Sequence, residues 1–322
     1  MSDFLLVNFG GPRDLDEIDP FLTSLLCDRD VIWTKGWPTV LHNWFFRRVA
    51  KKRAPQIRHD YEWIGGKSPI FFDTELLGAK LGALTFHRYL PATHAQSLAK
   101  IEASSAEEIR VLPLFPQFTY ATTGSIARFF SHHLSPSTLQ KLKWCKSYPD
   151  HPAFVRPFQQ RIQAFFRENN LREEETVLLF SAHGVPQAFI DRGDPYQAEC
   201  ERSYRAILQA FPRALGRLCY QSKFGKGEWI RPYTDEASRA ILDWNGGRKE
   251  IVFIPLTITS DHIETLFEVE RLYLPLIRQQ KLNAYRCPAL NQEAEWVEAL
   301  KTLLRQEVFL HSNDTLIRRK YK

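Results

Sequence analysis

The chain has 322 residues and only five cysteines, at 27, 145, 200, 219 and 287, no two of them in a CxxC pair. An odd number without that spacing excludes a disulfide framework and a structural zinc cluster as organising devices, and fits a reducing compartment. No apolar run approaches the ~20 residues that cross a bilayer. The opening MSDFLLVNFGGPRD has an apolar stretch of only a strand's length and no basic leader region. Low-complexity segments, sequence repeats and zinc-knuckle, RNP-like or helix-turn-helix signatures are also missing. The expectation is a soluble, cytoplasmic protein with no nucleic-acid partner. The net charge of +6 and pI near 9.0 suit some anionic partner without naming one.

What is present is enough apolar sequence, 44% of the residues, for more than one core. Strand-like runs at Phe4–Asn8, Ile109–Pro113, Thr176–Ser181, Arg217–Gln221 and Glu250–Pro255 alternate with amphipathic stretches over 74–90, 152–169, 196–211, 234–246 and 291–309. That alternation predicts an α/β fold with parallel sheets, whose ligands bind beyond the carboxyl ends of the strands. The proline-marked segment CKSYPDHPAFVRP, 145–157, places a boundary between two lobes, 1–150 and 151–322, with the last helix packing back on the first. RRKYK at the end reads as a frayed basic tail.

Two strand-to-polar junctions concentrate the chemistry. TVLLFSAHGVP ends a strand at His183, where Gly184 and Pro186 punctuate the chain. A histidine there titrates near neutrality and serves as a proton acceptor, a metal ligand or simply a turn residue. IPLTITSDHIETLFEVE, 254–270, ends a second strand at Ser260-Asp261-His262. Glu264 and Glu268 follow one helical turn apart on the same face. Asp261 with Glu264 also matches a capping box, which accounts for those two residues without chemistry, though not for His262 or Glu268. Imidazole and carboxylate together suit a divalent metal such as iron or zinc. GDPYQAEC, 193–200, reads as a turn opening a helix, and YEWIGGKSPI, 61–70, as a backbone turn with hydroxyls at Tyr61 and Ser68. The segment 30–58 joins Trp33, Trp37, Trp44, Phe45 and Phe46 to Arg47, Arg48, Lys51, Lys52 and Arg53. It fits an interfacial helix, a lip over a flat ligand, or an ordinary amphipathic surface helix.

These blocks together resemble the ferrochelatases, which insert ferrous iron into porphyrin. The resemblance runs from VNFGGP (7–12) to RCPALN (286–291), through LCDRDVI (26–32), AKKRAP (50–55), YEWIGGKSPI, PLFPQFTYATTGS (113–125), FSAHGVP (180–186), RGDPY (192–196), YQSKFGKGEWIRPYTDE (220–236) and PLTITSDHIETL (255–266). FSAHG with SDHIETL is its most specific pair. The resemblance implies two Rossmann-like lobes clamping a porphyrin, with His183 and Glu264 as catalytic, iron-binding residues. It places Asp261, His262 and Glu268 along a proton or metal route whose third carboxylate position here is Leu272. Phe9, Lys52, Arg53, Tyr61, Ser68, Arg88, Tyr89 and Trp229 match porphyrin-binding positions, and Phe118 stands where some relatives have tyrosine. Further expectations are ferrous iron as substrate, no resident cofactor, no iron–sulfur cluster, a monomer, and peripheral membrane contact through the 30–58 lip. The substrate is left between protoporphyrin IX and coproporphyrin III. Another tetrapyrrole chelatase and a non-catalytic porphyrin carrier are the alternatives.

Overall fold

The computed structural model describes residues 2–225, 227–306 and 310–317. It divides into two compact units, one running to Ser147 and resuming at Leu300, the other Tyr148–Ala299. The second unit therefore ends earlier than 322, because the chain leaves it within the helix Ala294–Arg305.

The first unit holds strands β1 (Ser2–Asn8), β2 (Leu84–His87), β3 (Glu108–Pro113), β4 (Leu142–Cys145) and β9 (Leu310–His311), ordered β2-β1-β3-β4-β9. The second holds β5 (Thr176–His183), β6 (Leu215–Gln221), β7 (Glu250–Pro255) and β8 (Asn283–Arg286), ordered β6-β5-β7-β8. Apart from β9, which pairs antiparallel at the edge, every pairing is parallel. Each unit thus begins at a central strand, adds the next on one side and the following two on the other. The duplicated plan carries no matching sequence repeat, because apolar strand faces and crossover helices can be met by many sequences. Leu5, Val7, Phe86, Val111 and Trp144 fill the first core, and Val177, Leu179, Ile251, Phe253 and Ile277 the second.

The structure revises the element reading in several places. The predicted helix over 74–90 is a helix only to Leu81, where Gly82 turns left-handed at φ 62°. Leu84–His87 then pairs with β1 in the register Leu5↔Leu84, so tertiary pairing overrides a helix-compatible pattern. The stretch 234–246 breaks at Ala240 into Thr234–Arg239 and Ile241–Trp244. Residues 307–309 of the last predicted helix and the RRKYK tail lie outside the described residues.

The largest departure follows β7. Residues Glu264–Tyr273 form a π-helix, bonded from residue i to i+5 rather than i+4. Such helices are rare beyond a single turn and recur at functional sites. Leu274–Arg278 continues it in the α form.

Candidate active site

In a doubly wound sheet, the crevice opens at the carboxyl ends where strand order reverses. In the second sheet that point lies between β5 and β7. His183 is the last residue of β5, and residues 256–264 leave the end of β7, so topology alone brings the two motifs together. His183 Nδ1 lies 2.9 Å from Glu264 Oε2. The carboxylate can only accept, so Nδ1 carries the hydrogen and Nε2 keeps its lone pair. The His183 side chain is 39% exposed and that of Glu264 20%, which makes the histidine the outward member of the pair.

The electrostatics follow from this contact. Burial works to lower the His183 pKa, but the charge and hydrogen bond of Glu264, with Glu268 behind it, raise it above the ordinary value. Burial works to raise Glu264, yet His183 and then His262 hold it well below the usual carboxylate range. Glu268 moves the other way. Burial, then the nearby charge of Glu264, push it up to about 7, against a hydrogen bond from Ser222. Two carboxylates four residues apart are thereby separated into an ionised group and one that exchanges protons near neutrality.

The capping-box reading does not hold. Glu264 turns its carboxylate to His183, and the Asp261 amide donates to Asn291 Oδ1 at 2.7 Å. Asp261 instead accepts from Thr265 Oγ1 (2.8 Å), Arg286 Nη1 (2.8 Å) and Asn291 Nδ2 (3.0 Å). It clamps the start of the π-helix to the segment after β8 and has no oxygen to spare for a metal. His262 Nδ1 lies 3.1 Å from the Ser260 carbonyl and so donates to it. Its buried Nε2 has no hydrogen-bond partner and sits 3.6 Å from Glu264 Oε2. A cavity of about 10 Å³, the size of one water or ion, is lined by His183, His262, Glu264, Thr257 and Gln221 among others. Among the described residues, no three His, Cys, Asp or Glu side chains are arranged to hold a metal ion.

Three contributors were invisible to sequence reasoning. Ser222 holds φ 62°, a left-handed conformation costly for a residue with a Cβ, and its Oγ donates to Glu268 Oε2 at 2.7 Å. Tyr273 donates to the same oxygen at 3.3 Å. Gln221 accepts from Ser181 and donates to the Glu264 carbonyl at 3.4 Å. Leu272 is 48% exposed, so within the π-helix it is Tyr273, not residue 272, that meets Glu268.

The predicted porphyrin-binding residues separate into those that present a surface and those that do not. Trp229 is half-buried, and a Cβ on Gly184 would stand 3.2 Å from its ring, so glycine beside His183 lets the indole approach. In the first unit, Phe9 is half-buried and packs edge-on against Tyr89 at 4.5 Å, while Lys52 and Arg53 are exposed on the helix Thr39–Trp63. Tyr61 and Ser68 are 2% and 1% exposed and offer no ligand surface as they stand. Tyr89 is wholly buried, and its hydroxyl donates to Asp28 Oδ2 at 3.0 Å. Arg88 joins the same oxygen at 2.7 Å, so its charge is already matched. Phe118 is buried, with the Lys146 ammonium 4.6 Å from its ring centre. Within the lip, Trp37, Val40, Leu41, Trp44 and Phe45 are exposed, whereas Phe46 is buried.

Fold and site together define a chelatase-like α/β protein. CbiX, described as the terminal enzyme for biosynthesis of sirohaem in denitrifying bacteria, superposes with a TM-score of 0.51 at 15% identity, covering 93% of this chain and 98% of that one. SirB from Bacillus subtilis with Fe3+ gives 0.50 at 11% identity, covering 94% of each chain. At such identities the likeness establishes the fold only. Sequence goes further. The ferrochelatase family profile matches residues 3–308. The ferrochelatase of Chlamydia abortus is 41% identical, covering 98% of this chain and 99% of its own length. That of Chlamydia caviae is 42% identical, covering 94% and 95%. The chain belongs to the ferrochelatase family.

Proposed function

We propose that the protein is a lyase that inserts ferrous iron into a porphyrin, protoporphyrin IX or coproporphyrin III, forming haem and releasing two protons. The observation that carries this reading is the His183–Glu264 pair at the switch point of the second sheet, 2.9 Å apart, with its histidine half-exposed. A free-base porphyrin must lose two pyrrolic protons as the metal enters. The Glu264 carboxylate fixes the imidazole tautomer and raises its basicity, leaving Nε2 to accept a proton. Glu268, poised near neutrality, passes protons onward with Ser222 and Tyr273 ordering its carboxyl.

Iron is substrate, so its ligands must hold it weakly and let it go. His183 and Glu264 supply one imidazole and one carboxylate, and Nε2 of His262 lies beside that carboxylate. An imidazole cannot hold a proton and a metal at one nitrogen, so deprotonation and metal contact are successive. A macrocycle bent on binding exposes its lone pairs, with the strain met by contacts elsewhere on the ring. The reading requires no resident cofactor and no iron–sulfur cluster.

Anaerobic absorbance of the purified protein with ferrous iron and either porphyrin tests this, with Glu264→Gln alongside. Loss of free-base bands with growth of haem bands, reduced in the variant by at least the ~100-fold typical of a lost acid–base group, is the expected result. A binding shift without insertion would replace this reading with a porphyrin carrier.

The lip supports a second, coarser proposal: a cytoplasmic monomer that docks peripherally on an anionic membrane. Its apolar residues Val40, Leu41 and Trp44 are exposed beside Arg47, Arg48, Lys51, Lys52 and Arg53, and no described helix is long and apolar enough to cross a membrane. Sedimentation with anionic vesicles that survives Val40→Glu with Trp44→Glu would count against it.

A further inference from the structure

The motif GDPY opens the helix Tyr196–Leu208, and the chemistry above does not use it. Its tyrosine, Tyr196, is 4% exposed, and its hydroxyl donates to the backbone carbonyl of His183 at 2.8 Å. The reason lies at the end of β5. In a parallel sheet, the amide and carbonyl of one residue face the same neighbouring strand. Those of Ser181 and His183 face β7, and the last ladder bond on that side is Leu256 N–H to the Ser181 carbonyl, 3.1 Å. The β5–β7 pairing stops at Ser181↔Pro255, two residues short of His183. The peptide groups of His183 are thus left without strand partners, and buried backbone groups must find others.

Two side chains replace the strand. The His183 amide donates to Thr257 Oγ1 at 3.3 Å, and its carbonyl accepts from Tyr196. Each of the two peptide groups of His183 is thus met by one side-chain hydroxyl, Thr257 from the segment after β7 and Tyr196 from the helix Tyr196–Leu208. On the β6 side, Gly184 N–H donates to the Gln221 carbonyl at 2.8 Å. The backbone of the reactive histidine is therefore held on both sides while its ring stays half-exposed.

We infer that Tyr196 and Thr257 are positioning residues that set where the His183 imidazole points. The inference rests on the role proposed for His183. A misplacement of about 1 Å at a reacting group costs about 100-fold in rate, and loss of an outer-shell partner about 10- to 100-fold.

The test uses the full-length enzyme with ferrous iron and porphyrin. Tyr196→Phe removes one oxygen and keeps the buried ring. Its kcat should fall about 10-fold with KM for both substrates nearly constant. Thr257→Val should do the same, and Thr257→Ser, which keeps the hydroxyl, should recover most of the loss. Joining Tyr196→Phe to Thr257→Val should cost less than the product of the two single losses, since both act through the one histidine. The ring-proton NMR signals of His183 should move in both single variants. Wild-type kcat in Tyr196→Phe, or a loss confined to thermal stability with His183 signals unmoved, would overturn the inference. Added to His183→Ala, Tyr196→Phe should reduce the remaining rate no further; an undiminished second loss would overturn it too. If His183→Ala itself inserts iron normally, the functional reading falls first. If His183→Ala is inactive and Tyr196→Phe is wild type, only the positioning role falls.

Discussion

The two units each bury a polar cluster beyond a switch point, and the clusters differ in how completely they are satisfied. In the first unit, Asp28 accepts from Arg88, Tyr89 and Ser125, and Asp30 pairs with Arg128 at 2.6 Å. Each donor meets an acceptor, with the Arg88–Asp28 pair 14% and 6% exposed. In the second, His262 Nε2 has no hydrogen-bond partner, Glu268 sits near neutrality, Ser222 is strained and the helix carrying both glutamates is wound as π. A closed network stabilises and resists change; an open one leaves capacity for protons and metal. The sequence shows charged residues at both places. The difference lies in which of them have already spent their charge on one another.

The comparison breaks most sharply if the two clusters respond alike. His183→Ala should cut insertion by about 100-fold or more while barely moving the unfolding midpoint. Asp28→Ala should lower the unfolding free energy by about 3 kcal/mol, because Arg88 is left buried without its anion. Urea denaturation beside the insertion assay reads both. Asp28→Ala with unchanged stability and a raised porphyrin KM would move Arg88 and Tyr89 back among the binding residues.

A smaller effect concerns pH. Glu268 is raised from 4.5 to about 7 in the folded protein, so between those values the native state holds a proton that the unfolded state releases. Its contribution is favourable at the acid end of this window and is lost as pH rises through about 7. Glu268→Gln removes the dependence. The variant's melting temperature relative to wild type should climb as pH is raised across the window and then level off. A constant difference would return Glu268 to an ordinary surface carboxylate.

The finest test separates strain from hydrogen bonding at Ser222. Ser222→Ala keeps a Cβ at φ 62° and loses the bond to Glu268, whereas Ser222→Gly loses the bond but relieves the strain. Glycine should be the more stable variant by about 1 kcal/mol, and both should raise the Glu268 pKa further. Equal stability would show that the left-handed turn stores nothing.

Much was legible from sequence because it depends on neighbours along the chain. Apolar runs, most of them ended by glycine or proline, gave β1, β3, β5, β6 and β7, and the rule for parallel sheets placed His183 at one strand end and the segment leading to Glu264 beyond another. Other features hid because local pattern is ambiguous. Leu84–His87 is too short to tell from a helix end without β1 beside it. ETLFEVERLY has an ordinary amphipathic pattern, and nothing in it announces bonds to i+5.

Residue types and their order thus determined the α/β class, the family and the two motifs that carry the chemistry, since propensity and period act over a few residues. Only the tertiary structure decided which carboxylate is structural and which reactive. Asp261 and Glu264 are three residues apart and chemically alike, yet Asp261 is bound by Arg286 and Asn291, while Glu264 faces His183. Those partners lie 25, 30 and 81 residues away along the chain. A side chain's protonation and role follow from the charges and donors that folding brings within hydrogen-bonding reach, and local sequence does not hold that information.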